Sequence, residues 1–85
     1  MNNHSVYKYL ASNIKYYRTQ QNITQEELSE KISKSVRYLS YLENGNANVT
    51  LNTIIDIAEI FDVEPYILIK NNKYQVSTKK VYKNK

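Results

Sequence analysis

The chain holds one histidine, His4, and no cysteine. No Ser-His-Asp or Cys-His set can be assembled, and neither a disulfide nor a thiolate metal site is available. Asp56 and Glu59 stand three residues apart, which places both on one face of a helix. Acids at that spacing are ordinarily a solvated face, not an acid–base pair. The only glycine, Gly45, leaves no Gly-rich loop to cradle a phosphate. Enzyme chemistry is therefore poorly served. What remains is fixed charge and amide hydrogen bonding, and the charge is uneven. Lys8, Lys15 and Arg18 stand in residues 1–23 with no acid, and residues 24–48 carry three bases against four acids. Asp56, Glu59, Asp62 and Glu64 stand in residues 49–69 with no base, and residues 70–85 carry six lysines with no acid. Two basic ends flank an acidic stretch, which points to an anionic partner such as nucleic acid. A solvated lysine tail is the plainer reading of the last segment.

Eighty-five residues leave room for one small domain, which buries roughly 60–65% of its unfolded surface and so needs a well-packed or shared core. Residues 5–21 read as a helix: Ser5 can cap it, and Val6, Leu10, Ile14 and Tyr17 share a face. Asn22 can take the left-handed turn that stops it. Thr24-x-x-Glu27 is a capping box and predicts a helix from Gln25 to Ile32. Ser35 can cap a third helix, Val36 to Glu43, after which Asn44-Gly45-Asn46-Ala47-Asn48 is a turn. Thr50 can cap a fourth helix, Leu51 to Phe61, with Leu51, Ile54, Ile55, Ala58 and Phe61 as its apolar stripe. Asp62 can supply the next turn. Pro65 opens a short fifth helix, Pro65 to Ile69. Beyond it lies a basic tail, 70–85, where Tyr74, Val76 and Thr78 alternate. A short strand or hairpin with Val81-Tyr82 and a disordered basic arm are both open there. No apolar run approaches the roughly 20 residues of a membrane span, and no signal pattern opens the chain. A cytoplasmic protein with no membrane partner is expected.

The two short helices between Gln25 and Glu43 are joined by only a few residues. Leu28, Ile32, Leu39 and Leu42 supply a common apolar anchor, and Ser29 is small where the helices would cross. Such a pair projects its second helix from the body, as entry into a major groove about 12 Å wide requires. The segment Thr24-Gln-Glu-Glu-Leu-Ser-Glu-Lys-Ile32, followed by Ser35-Val-Arg-Tyr-Leu-Ser-Tyr-Leu-Glu-Asn-Gly45, resembles the helix-turn-helix of the Cro and phage-repressor type, the Xre family of regulators. Asn48-Val-Thr-Leu-Asn-Thr-Ile-Ile-Asp-Ile-Ala58 and Phe61-Asp-Val-Glu-Pro65 resemble that family's fourth helix and its exit. Ser33 stands where the family usually has glycine and must accept a strained turn, or the turn differs. Lys34 replaces an apolar residue and is expected to send its amine to solvent.

The resemblance implies an all-α, compact five-helix, lambda-repressor-like DNA-binding domain over residues 1–69, followed by the tail. The small size looks most like restriction–modification controller proteins, Cro-like phage regulators or antitoxin-type repressors. The implied partner is double-stranded DNA, with no cofactor, metal or small-molecule ligand. Gln25 matches a phosphate-binding glutamine. Ser35, Val36, Arg37, Ser40 and Tyr41 line the outer side of the third helix. Arg37 can bind guanine O6 and N7 in bidentate fashion, Val36 can meet a thymine methyl, and Tyr41 can stack on a sugar or bond a phosphate. Asn44, Asn46, Asn48 and Thr50 match the segment that grips the strand beside the groove. Arg18 and Glu43 match a pair that bridges the first helix to the end of the third.

Tyr66-Ile67-Leu68-Ile69 is apolar at four consecutive positions. Leu68 serves the core in the family pattern, which leaves Tyr66, Ile67 and Ile69 for a second copy, packing under the C-terminal tail being the alternative. The expected function is transcription regulation, as a homodimeric repressor or other regulator on a pseudo-palindromic operator. The rival is an antitoxin or anti-repressor that works mainly through a protein partner.

Overall fold

The computed structural model of the protein describes residues 3–72, with side chains from Ser5 onward. His4's side chain and residues 73–85, where the strand, hairpin and basic-arm readings apply, lie outside the described residues. Five helices follow in order: α1 Asn3–Gln20, α2 Gln25–Lys31, α3 Val36–Glu43, α4 Leu51–Phe61 and α5 Pro65–Ile69. Among the described residues there is no strand. The fold is all-α.

Helix starts follow local side-chain chemistry. Thr24 Oγ1 accepts from the Glu27 N–H at 3.0 Å while Glu27 Oε1 accepts from the Thr24 N–H at 2.9 Å, which completes the capping box of α2. Ser35 and Thr50 accept from the amides of Tyr38 and Thr53 and start α3 and α4. Only α1 departs: it begins at Asn3, so Ser5 lies inside its first turn instead of capping it. A helix extends past a polar residue by a turn's fraction at little cost, and helix starts are soft for that reason.

The ends of α1 to α4 share one device. After α1, the Asn22 and Ile23 amides donate to the Thr19 and Arg18 carbonyls. After α2, Ser33 and Lys34 donate to Glu30 and Ser29. After α3, Gly45 and Asn46 donate to Leu42 and Tyr41. After α4, Asp62 and Val63 donate to Glu59 and Ala58. Each is a Schellman closure, which needs one left-handed residue. Those residues are Asn22, Ser33, Gly45 and Asp62, with φ of 57°, 58°, 79° and 62°. Three of the four closures thus use a residue with a Cβ. Asn and Asp tolerate the conformation, but serine carries a cost of about 1–2 kcal/mol. Ser33 is exposed. Ser33→Gly is therefore expected to raise stability by about 1 kcal/mol, seen as a higher urea midpoint at unchanged m-value. A lowered midpoint would contradict the strained turn.

Leu10 and Ile14 of α1, Leu28 of α2, Ile32 in the turn, Leu39 and Leu42 of α3, Ile57, Ala58 and Phe61 of α4, and Leu68 of α5 form one core. α1 runs along α3, α4 and α5, while α2 packs on α3. Ser29 is buried with its hydroxyl turned back onto the Glu26 carbonyl, so nothing bulky separates α2 from α3. The stripe expected on α4 needs correction. Leu51 is 69% exposed and Ile55 is at the surface, while Thr53 and Ile57 are buried. The apolar face of α4 is wide, with Asn52, Asp56 and Glu59 on the opposite, exposed side, so periodicity alone does not fix which part of it turns inward. Packing against α1 and α5 selects the row Thr53, Ile57, Ala58 and Phe61.

A five-residue helix has no interior to hold its carbonyls, and α5 is held by two buried amides. Asn13 Nδ2 of α1 donates to the carbonyls of Ile67, Leu68 and Lys70 at 3.1, 2.8 and 2.9 Å. Asn72 Nδ2 donates to the Ile67 carbonyl at 2.7 Å. The described chain is thereby packed against the body to Asn72, which is itself buried.

Candidate nucleic-acid interface

α3 has two unlike sides. Leu39 and Leu42 are at 0% and 2% exposure. The outer side carries Val36, Arg37, Ser40 and Tyr41, at the one-and-four spacing that shares a helical face. Of these Val36, Arg37 and Tyr41 are exposed and Ser40 is half-buried. Ser35 stands exposed before them, its Oγ engaged as the cap. The Arg37 guanidinium carbon sits 5.9 Å from the centre of the Tyr41 ring. Asn44, Asn46, Asn48 and Thr50 are all exposed in the segment that follows. Thr50's hydroxyl is committed to Thr53.

Two side chains hold α3 by its C-terminal residue. Arg18 Nε and Nη2 donate to Glu43 Oε2 and Oε1 at 2.6 and 3.1 Å, and Arg18 Nη1 donates to the Ile23 carbonyl at 2.9 Å. Gln25 Nε2 donates to the same Glu43 Oε1 at 3.1 Å. One carboxylate thus ties the end of α3 to α1 and to the start of α2. Gln25 is half-buried at the first position of α2, and one of the two N–H groups of its amide is engaged by Glu43. Tyr38, on the flank of α3, donates its hydroxyl to the Asn48 carbonyl at 3.2 Å and steadies the following loop. Burial pushes the Tyr38 phenol up from its ordinary pKa, with a hydrogen bond to Thr53 opposing in part. It stays a neutral donor. Sequence reasoning passed over Tyr38 and the Gln25–Glu43 link. A tyrosine on the half-buried flank of α3 was the available signal for the first, and no local signal exists for the second. The Lys34 amine lies 5.5 Å over the Tyr38 ring.

On α5, Tyr66 is 59% and Ile69 39% exposed, while Ile67 is half-buried and Leu68 fully buried. An open cleft of about 460 Å³ beside α4 and α5 is lined by Ile55, Ala58 and Val63 with Glu59, Asp62 and Glu64 among its walls. Among the described residues no group of His, Cys, Asp and Glu could hold a metal ion, and no helix is long and apolar enough to cross a membrane.

A helix-turn-helix family model matches residues 14–68. The chain is 34% identical over 62 residues to an uncharacterised HTH-type transcriptional regulator of Sinorhizobium fredii, covering 73% of this chain and 80% of that one. A similarly described regulator of Methanocaldococcus jannaschii is 33% identical over 55 residues, 65% of this chain and 83% of that one. In structure the chain is similar to the hypothetical transcription factor NHTF from Neisseria, with a TM-score of 0.76, 25% identity and coverage of 86% and 84%. It is also similar to the restriction–modification controller protein C.AhdI from Aeromonas hydrophila, with a TM-score of 0.68, 27% identity and coverage of 73% and 94%. With α2 and α3 folded as the two helices of that motif and these relatives on either side of it, the chain belongs to the helix-turn-helix family of DNA-binding transcriptional regulators of the Xre type.

Proposed function

We propose that the chain is a sequence-specific double-stranded DNA-binding regulator that acts in the cytoplasm as a homodimer on a pseudo-palindromic operator, with α3 in the major groove. The observation that carries this is the two-sided α3: Leu39 and Leu42 lock one side into the core while Val36, Arg37, Ser40 and Tyr41 stand on the other. Arg37 reads guanine O6 and N7, and Val36 meets a thymine methyl. Ser35 and Ser40 bond base edges or phosphate. Gln25 at the start of α2 and the Asn44, Asn46, Asn48 and Thr50 segment hold the phosphate strand beside the groove. Tyr66 and Ile69, with Ile67 beneath them, meet a second copy. The controller protein among the structural neighbours supports a regulatory use.

Arg37→Ala and Gln25→Ala separate base reading from phosphate holding. Arg37→Ala is expected to weaken binding to the preferred operator by about 1–3 kcal/mol and to relax preference at one base pair of each half-site. Gln25→Ala is expected to weaken all sequences alike. Binding isotherms on operator and random duplexes decide it. Equal losses on both duplexes for Arg37→Ala would make that residue a phosphate contact and remove the base-reading role.

A further inference from the structure

Arg37 and Tyr41 lie four residues apart on α3, and the guanidinium sits over the tyrosine ring, 5.9 Å from its centre. Tyr41 is 49% exposed and takes no part in the core, so its ring is not spent on packing the fold. The ion pair among the described residues is Arg18–Glu43, and Arg37 has no carboxylate of its own. The tyrosine ring is therefore the group against which the Arg37 side chain rests. A guanidinium uses its flat face to stack on a ring and its N–H edge to reach hydrogen-bond acceptors. The two uses do not compete. A stacked arginine keeps the forked edge that guanine O6 and N7 require.

We infer that Tyr41 is a positioning residue for base reading: it holds the Arg37 guanidinium over its ring before DNA arrives, with the donor edge left free. This rests on the base-reading role of Arg37. An arginine on a helix surface otherwise samples many rotamers and must give them up on binding. Stacking on a ring that is already in place lowers that entropic cost. The tyrosine hydroxyl plays no part in this, since it is the ring face that the cation meets.

The test is a double-variant cycle on the full chain, with Tyr41→Leu, Tyr41→Phe and Arg37→Ala measured on a preferred duplex and on one changed at the pair that Arg37 reads. Tyr41→Leu is expected to lower affinity for the preferred duplex about two- to five-fold and to narrow the preference over the changed one. Tyr41→Phe keeps the ring and is expected to keep the wild-type preference between the two duplexes, any loss from the hydroxyl falling on both alike. With Arg37→Ala already present, Tyr41→Leu is expected to change nothing further. If Tyr41→Phe narrows the preference as much as Tyr41→Leu, the hydroxyl reads DNA directly and the positioning role is overturned. An undiminished effect of Tyr41→Leu beside Arg37→Ala overturns it too. If Arg37→Ala leaves the base preference intact, the base-reading role itself has failed and this one falls with it. If Arg37→Ala abolishes the preference while Tyr41→Leu does not alter it, only the role of Tyr41 is lost. Tyr41 is exposed, so melting curves of its two variants are expected to overlay the wild type.

Discussion

Replacing Glu43 by leucine is expected to cost the folded state about 3–5 kcal/mol, the usual penalty for leaving one member of a buried ion pair alone. The side chains of Arg18 and Glu43 are only 13% and 4% exposed. Glu43 accepts from Arg18 through both oxygens and from Gln25 through one of them. Without it, the Arg18 Nε and Nη2 donors lose their acceptor where little water can reach, and only the Nη1 bond to the Ile23 carbonyl persists. Small domains are stable by about 5–15 kcal/mol in total, so urea midpoints resolve such a loss easily. Arg18→Met in the same chain is expected to restore much of it, because a buried pair exchanged for apolar groups of similar size is often neutral. That double variant still lacks the tie from α1 to the end of α3, so its affinity for DNA is expected to stay below that of the wild type. A Glu43→Leu midpoint within about 0.5 kcal/mol of the wild type, the range of ordinary surface changes, would contradict the buried character of the pair.

A second large effect is expected at α5. Tyr66→Glu combined with Ile69→Glu places two charges on the residues that stand most exposed there, while Leu68 stays in the core and Ile67 is untouched. Monomer folding is thus spared, and only an interface that buries these positions suffers from desolvating the new carboxylates. The variant is expected to sediment as a monomer. In a dimer the two recognition helices stand about 34 Å apart, one turn of the duplex. Once one is seated, the second binds as an intramolecular step. Losing that advantage is expected to weaken operator binding by about 10²–10⁴-fold. Wild-type protein that sediments as a monomer at micromolar concentration, both free and on DNA, would contradict the dimer.

The parts of the fold that are local in sequence are the parts that are legible. The capping box joins Thr24 to a residue three positions away, and Pro65 and Asp62 act within one turn. The strained turn at Ser33 is equally local, because a closure there needs φ > 0 whatever residue supplies it. Leu51 and Ile55 misled because the apolar face of α4 is wide, and only its packing partners choose which part of it is covered. Asn13 is the clearest long-range case. Its amide reaches carbonyls 54 to 57 residues further along the chain, a link no local rule supplies. Its place between Leu10 and Ile14 on the apolar side of α1 was the available signal: a polar residue at a core position needs a buried partner. At the interface, the outward residues of α3 follow from the inward leucines. The placement of the Arg37 guanidinium over the Tyr41 ring is a matter of rotamers and emerges only from the folded helix.

On the proposed function, the outer side of α3 reads a specific DNA sequence as one half of a symmetric pair. Selection of binding sites from a random duplex library by the full chain tests it most directly, followed by footprinting on the DNA upstream of the protein's own gene. The expected result is an enriched inverted repeat with half-sites about 10 base pairs apart, centre to centre, with a guanine in each half whose enrichment disappears when Arg37→Ala protein repeats the selection. Enrichment of no sequence, or of the same guanine by Arg37→Ala protein, would contradict it.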